Sequence, residues 1–424
     1  MTLRLTRPLQ QAGIKVLQGN DCMDIHPEYV SQADAVVIQR DFSANLEMYE
    51  QILSRAHAEQ KPVIYEIDDQ LFELPEDHID YPTHYYSPAL FAMLRTVIEA
   101  DLVTTSTDSL KEYLLPFNPH IEVIPNYLDD RLWALRSPGQ LSPASGDSQN
   151  PVVIGYMGTN THQPDLVSIA PVLGRLLDHY GDRLRMRFWG TEPPEPLRSR
   201  PQVEWHAIQM HSYAEFAAYF SQQSCDIFVA PLIDSPFNHC KSSIKFLEYS
   251  ALGIPGVYSH TVPYQVVRDG ENGYLAGTEQ EWEHHLVELI ESPELRSRMG
   301  LVALKTVQSQ WLLSQNAMRW ATAYQSALTR AKDAQFNQLR QGYLDVFVAV
   351  ANQVRGWQNH IFNQLIERDQ KIKFLQDSSL AQQEQIVNLQ TKATAQEAYL
   401  QHIAQSRGWK LLETARRLKR MIFR

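Results

Sequence analysis

The sequence predicts two α/β domains in tandem followed by an α-helical tail. Three observations carry this. Short apolar runs alternate with amphipathic stretches from Ala35 to Tyr258, a segment rich in Pro, Ser and Gly interrupts the alternation once, and strand signals stop after Ser292-Pro293-Glu294.

In chain order, an opening helix is expected over Leu3 to Ala12. A strand follows at Ala35-Val-Val-Ile38, a helix at Leu46 to Glu59, a strand at Pro62 to Ile67, a helix at Tyr85 to Ala100 and a strand at Leu102 to Thr105. Ile121 to Ile124 is a strand that runs into the turn Pro125-Asn126, and the first domain closes at residue 135. Residues 136–151, RSPGQLSPASGDSQNP, have little to bury and read as an exposed linker. The second domain, 152–310, takes strands from Val152 to Tyr156, Leu184 to Trp189, Asp226 to Pro231 and Gly256 to Tyr258, with helices at Asp165 to Tyr180 and Tyr213 to Ser221. No proline follows Pro293, so 311–360 is helical.

From Ile372 to Ile403 a heptad register puts Ile372, Leu375, Ser379, Gln382, Ile386, Leu389, Ala393, Gln396, Leu400 and Ile403 at a and d. This predicts a coiled coil over 361–405 that joins copies of the chain, the alternative being a single helix docked on the body. The final stretch, 406–424, sets Arg407, Lys410, Arg416, Arg417, Lys419, Arg420 and Arg424 against the single acid Glu413 and interleaves them with apolar residues. Such a basic amphipathic helix suits an anionic membrane surface, or else is a solvated terminal helix or an oligomer cap.

Composition narrows the class. The 424 residues suit roughly two to three domains at about 150 each, and 44% hydrophobic with 21% charged residues is ordinary folded usage. A net charge of −11 argues against a generic nucleic-acid binder. Cys22, Cys225 and Cys240 are too scattered for a disulfide framework or a Cys-x-x-Cys metal site, which points to a reducing cytosol. The N-terminus lacks the apolar core of a signal peptide, and no apolar run approaches the length of a membrane span. Walker, dinucleotide-binding, zinc-protease and serine-hydrolase signatures are missing, which removes those enzyme classes.

The chemistry concentrates between Ala230 and Gly277. A strand ends at Pro231, a polar loop follows, and Ser242-Ser243 precedes a helix of roughly Ile244 to Leu252 that Gly253 and Pro255 terminate. A helix N-terminus beside a strand's carboxyl end presents free N–H groups and a positive dipole. Lys241 and Lys245 add full charges, so a diphosphate fits there. Glu248, about a turn further in, is placed to accept hydrogen bonds from ribose hydroxyls, as an acid does in dinucleotide folds. Helix capping by the serines and a solvated face for Glu248 are the structural alternatives. Asp68, Asp69, His84 and His162 are candidate site groups if they face the cleft between domains, since α/β sites gather at strand carboxyl ends, with a turn or cap the competing role for the aspartates and simple exposure for the histidines.

The pattern N-x-x-K-S-x-I-K-F-L-E-Y-x-A-L-G-I-P, followed by Pro263-Tyr264 and Asp269-Gly-x-Asn-Gly273, resembles the donor-binding signature of family 4 type glycosyltransferases of the GT-B architecture. Ile154-Gly-Tyr-Met-Gly158 with Thr161, His162 and Asp165 is similar to the opening of that donor domain. Tyr65-Glu-Ile-Asp68-Asp69 with Leu71-Phe72 is similar to the acceptor domain of polysaccharide-assembly members.

The resemblance covers most of residues 1 to 320. It implies two Rossmann-like domains facing a cleft and transfer of a sugar, with retention, from a nucleotide-diphosphate sugar to a glycan or lipid-linked acceptor in cell-surface polysaccharide assembly. With the cysteine usage and the basic tail, this makes the chain a cytoplasmic enzyme, peripheral on the membrane's cytoplasmic face, whose helix N-terminus and lysines meet the developing charge without a metal. Glu248 then binds ribose, and Lys241, Ser242, Ser243, Ile244 and Lys245 the diphosphate. Gly158 and Thr159 meet the donor, and Asp68 and His162 join Lys241 and Glu248 in catalysis. Asp269 to Gly273 forms a turn below the site.

Two departures stand out. The family's acid eight positions before the second Glu is Cys240 here, and the expected opening strand with its glycine loop is replaced by a helix. A nucleotide-sugar isomerase or epimerase of the same fold, and a catalytically weakened coiled-coil scaffold, are the competing readings.

Overall fold

The computed structural model describes residues 2–20, 24–136, 149–208, 210, 212–329 and 334–422. Cys22, most of the expected linker, and Phe423 and Arg424 at the chain end lie outside the described residues.

The first half is a four-stranded parallel sheet, β1 (Val36–Gln39), β2 (Val63–Glu66), β3 (Leu102–Thr105) and β4 (Ile121–Val123), in sequential order. Its helices are α1 (Arg7–Gln11), α2 (Leu46–Ala58), α3 (Leu90–Glu99) and α4 (Asp108–Leu114). Both β2 and β3 are buried along their whole length, as strands covered on two faces must be. The helix predicted from Tyr85 starts only at Leu90. Pro88 disfavours helical geometry at Ser87, and His84 sits in the left-handed region at φ 53°, so residues 75–89 form turns.

The second half is a six-stranded parallel sheet. Its strands are β5 (Val152–Gly158), β6 (Leu184–Gly190), β7 (Val203–His206), β8 (Ile227–Ala230), β9 (Gly256–Ser259) and β10 (Tyr274–Ala276), in the order β10-β9-β8-β5-β6-β7. The strands β7 and β10 carry no clear sequence signal because both are short edges, and most of β7 is exposed. Flanking them are α5 (Gln163–Tyr180), α6 (Glu195–Arg198), α7 (Tyr213–Phe220), α8 (Pro236–His239), α9 (Ile244–Ala251), α10 (Glu279–Glu291) and α11 (Pro293–Gln310). The strand order reverses between β5 and β8, and the crevice at such a switch point is where open α/β sheets bind ligands.

After α11 the chain returns to the first sheet. The helices α12 (Leu313–Asn316) and α13 (Met318–Thr329) share a core with Leu5, Leu9, Ile64, Leu102 and Ile124. The opening segment, in place of a strand, is a helical turn followed by α1, and it drives Arg4 into that core, 2% exposed. The guanidinium of Arg4 donates to Glu66 Oε1 at 2.7 Å, to the carbonyls of Ile124 and Thr105, and to Asn126 Oδ1. Trp320 Nε1 donates to the Arg4 carbonyl at 2.9 Å. Where the chain crosses out of the first half and back into it, Leu128 N–H donates to the Trp311 carbonyl at 2.9 Å, and Leu313 N–H to that of Leu128 at 2.8 Å.

Residues Met1–Phe347 form one compact unit and Val348–Arg424 a second. The second is helical: α14 (Ala334–Gln405), which begins before that boundary, runs through residues 360 and 361 without a break, and α15 (Arg407–Ile422) follows. No helix among the described residues is long and apolar enough to cross a membrane.

Candidate active site

A cavity of about 340 Å³ opens where the two sheets present their carboxyl ends to each other. From the second half it is lined by the β5–α5 loop (Thr159, Thr161, His162) and by the turn into α9 (Lys241, Ser242, Ile244, Lys245). From the first half come Arg40, Asp69, His78, Asp80 and Tyr86.

The helix α9 starts after Ser243, which has φ −78° and ψ 21° and makes no side-chain cap, so the capping expectation fails. The Ser242 hydroxyl is engaged elsewhere, accepting from Asn126 Nδ2 at 2.8 Å across the cleft. The N-terminus of α9 therefore meets the cavity without a side-chain cap on its amides. Beside it, Lys245 is 8% exposed, and burial, then Lys241, push its ammonium down to about 8. Burial lowers Lys241 as well, with Asp165 and Asp69 opposing. Two desolvated cations beside one helix N-terminus are arranged for an anion with more than one charge.

His162 is fixed by Asp165: Nδ1 lies 2.8 Å from Asp165 Oδ2, while Asp165 Oδ1 accepts from Ile233 N–H at 2.9 Å. Burial, then Lys245, hold the imidazole down at about 3, so it is neutral at physiological pH. Asp165 lies below its ordinary value, against the burial that would raise it, because His162 and the Ile233 amide bond it. A neutral ring that donates from Nδ1 to a carboxylate offers Nε2 as an acceptor.

On the opposite wall, Arg40 Nη1 lies 3.5 Å from Asp68 and 3.3 Å from Asp69. The sequence gives no hint of Arg40. It stands just after β1 with φ 48°, a left-handed backbone uncommon for a residue with a side chain. Of the two aspartates, Asp69 lines the cavity and Asp68 does not. Burial and Asp68 raise the Asp69 carboxyl to about 6. His84 also lies off the cavity wall.

Several expected site residues stand back from the cavity. Gly158 ends β5, and a Cβ there would lie 2.5 Å from Tyr156 Oη, so its immediate constraint is packing. Ser243 is off the wall. Glu248, 4% exposed, accepts from Tyr213 Oη at 2.9 Å, and that oxygen accepts in turn from Trp133 Nε1 at 3.2 Å. Burial raises Glu248 to about 7, opposed by the Tyr213 bond and Lys245. The Cys240 thiol, pushed up to about 11 by burial, donates to the Pro236 carbonyl, so it supplies no charge where the family pattern has an acid. Asp269 and Gly273 close a tight turn, as expected. Among the described residues, the grouping with metal-ligand chemistry, His284, His285 and Glu288, is on α10 and not on the cavity wall.

Two parallel α/β halves facing a cleft, with a cationic helix N-terminus in it, make the GT-B architecture. Residues 151–292 match the family model described as Glycosyl transferases group 1. The fold is similar to the sucrose-phosphate synthase of Thermosynechococcus elongatus, at 13% identity and TM-score 0.50 over 70% of this chain and 75% of that one. It is also similar to TarM of S. aureus, at 10% identity and TM-score 0.50 over 70% of this chain and 57% of TarM. No curated protein sequence matches the chain. The chain therefore carries a glycosyl transferases group 1 domain over residues 151–292, which supports glycosyltransferase activity.

Proposed function

We propose that the chain transfers a sugar, with retention, from a nucleotide-diphosphate sugar to a hydroxyl of a glycan or lipid-linked acceptor in cell-surface polysaccharide assembly, working in the cytoplasm at the membrane's cytoplasmic face. The observation that carries this reading is the pair of desolvated lysines at the start of α9, facing the cavity.

In this reading the α9 amides, with Ser242 and Ile244, and the cations Lys241 and Lys245 hold the diphosphate. As the bond from the anomeric carbon to phosphate breaks, negative charge grows on the departing oxygen. Lys241 and Lys245 stabilise that charge more than the ground state, which lowers the barrier. The acceptor oxygen bonds the same face of the anomeric carbon, and its proton passes to the departing phosphate oxygen. No metal is required for this charge balance. Thr159 and His162 Nε2 take donor hydroxyls. Asp69, rather than Asp68, faces the acceptor, and Arg40 holds both carboxylates in place. Glu248 binds the ribose by exchanging its Tyr213 bond for sugar hydroxyls. A second copy of the chain pairs along the 361–405 seam.

The test is a thermal-shift panel of UDP, GDP, dTDP and CDP sugars on the full chain and on Glu248→Ala. Ligand that binds the native state raises stability by mass action, about 2.7 kcal/mol at a hundredfold excess over Kd. A selective shift lost in Glu248→Ala supports the donor site, and no shift with any donor overturns it. The neutral Cys240 thiol favours a second reading, a scaffold that binds donor without turnover, which product formation with donor and acceptor would refute. Turnover of donor alone would instead indicate an isomerase or epimerase.

A further inference from the structure

Helix α15 is physically separate from α14. Ser406 interrupts the helix, its Oγ donating to the Ile403 carbonyl at 2.7 Å and accepting from Trp409 N–H at 3.3 Å, which closes one helix and caps the next. Every described side chain from Arg407 to Met421 is exposed, Leu411 at 70% and Met421 at 72%.

The exposure is patterned. Leu411, Ala415 and Leu418 recur at i, i+4 and i+7 and make one apolar stripe, which Leu412 and Met421 widen. Arg416, Arg417 and Arg420 fall on the opposite side, and Lys410 and Lys419 flank the stripe. The six cations and one acid of α15 give it +5 in a chain of net −11, so the remainder carries −16. Positive charge is thus gathered on one helix of an otherwise acidic protein, on the same helix as an uncovered apolar stripe.

We propose that α15 is a docking surface for an anionic lipid bilayer. It lies in the interface plane with Leu411, Ala415 and Leu418 among the acyl chains and its arginines and lysines at the lipid phosphates. Charge complementarity selects the partner's sign, and the apolar stripe selects a surface with an accessible hydrocarbon layer over a soluble polyanion, which has no place for a row of apolar side chains. The acidic remainder disfavours adsorption through any other face, so attachment is confined to this helix and weakens with salt.

The experiment is flotation of the full chain with vesicles of phosphatidylcholine alone and of phosphatidylcholine with phosphatidylglycerol. The wild type should float with the anionic vesicles at least about tenfold more than with the neutral ones, and less as salt rises. Arg416→Glu with Arg420→Glu, and separately Leu411→Ser with Leu418→Ser, should each remove that flotation while the thermal transition of the body stays unchanged. Equal flotation on both vesicles, or wild-type flotation by either double variant, overturns the proposal. Loss in the arginine pair alone, with the leucine pair floating normally, would show a purely ionic contact such as a nucleic acid makes and overturns it too.

Discussion

At the scale of single residues, Lys245 and Glu248 both hold ionisable groups where burial opposes their charge. For Lys245 the lowered value means the unfolded chain holds the proton more tightly than the folded one. Its penalty is therefore full below pH about 8 and fades as pH rises toward the ordinary lysine value of 10.5. Lys245→Met should stabilise the free protein at pH 7 by up to about 3 kcal/mol while cutting donor affinity on the order of a hundredfold, measured by denaturant unfolding and calorimetric titration. Glu248 is the mirror case. Raised from 4.5 to about 7, it destabilises fully only above pH 7 and not at all below 4.5, so Glu248→Gln should gain stability at pH 8 and nothing at pH 4. Asp165→Asn should lower turnover about ten- to a hundredfold by freeing the His162 tautomer, with Ile233 N–H still bonded by the amide oxygen, as steady-state kinetics would register. The lysines and His162 were legible because a helix start after a strand has a local signature. Arg40 was not, since its approach to Asp68 and Asp69 joins β1 to the end of β2, and no local pattern encodes that pairing.

At the scale of elements, the placement of α9 depends on a glycine distant in sequence. Gly253, just beyond the end of α9, has φ 67°, and its carbonyl is so close to Gly300 of α11 that a Cβ there would overlap it. Gly300→Ala should destabilise by roughly 2–4 kcal/mol and shift the donor-binding helix, read as a lower melting temperature together with weaker donor binding. The parallel strands were legible because full burial writes itself as continuous apolar runs such as Val63 to Tyr65 and Leu102 to Val103. The edges β7 and β10 were not, because three or four residues with one wet face carry no run. The helical start of the chain was read from its residues, but the burial of Arg4 against Glu66 was not, since an isolated arginine gives no sign that it will be buried. Arg4→Ala should cost about 3–5 kcal/mol by leaving Glu66 buried without its cation, and Glu66→Gln in the same chain should recover part of the loss.

At the scale of the whole molecule, the tail and the body make different demands. On α14, Leu375 is 55%, Leu389 59% and Leu400 63% exposed along one seam, so an isolated chain leaves a long apolar stripe in water. Leu375→Asp with Leu389→Asp should convert the oligomer we propose into a monomer by sedimentation without altering the donor-induced thermal shift. Within the body, the hydrogen bonds of Leu128 to Trp311 and Leu313 tie the chain's outward and return crossings to each other. Two independent straps would let the halves twist, shear and gape in several directions. Stitched together, they restrain the halves at one seam, while Asn126 to Ser242 and Thr107 to the Cys240 carbonyl bond them at a second.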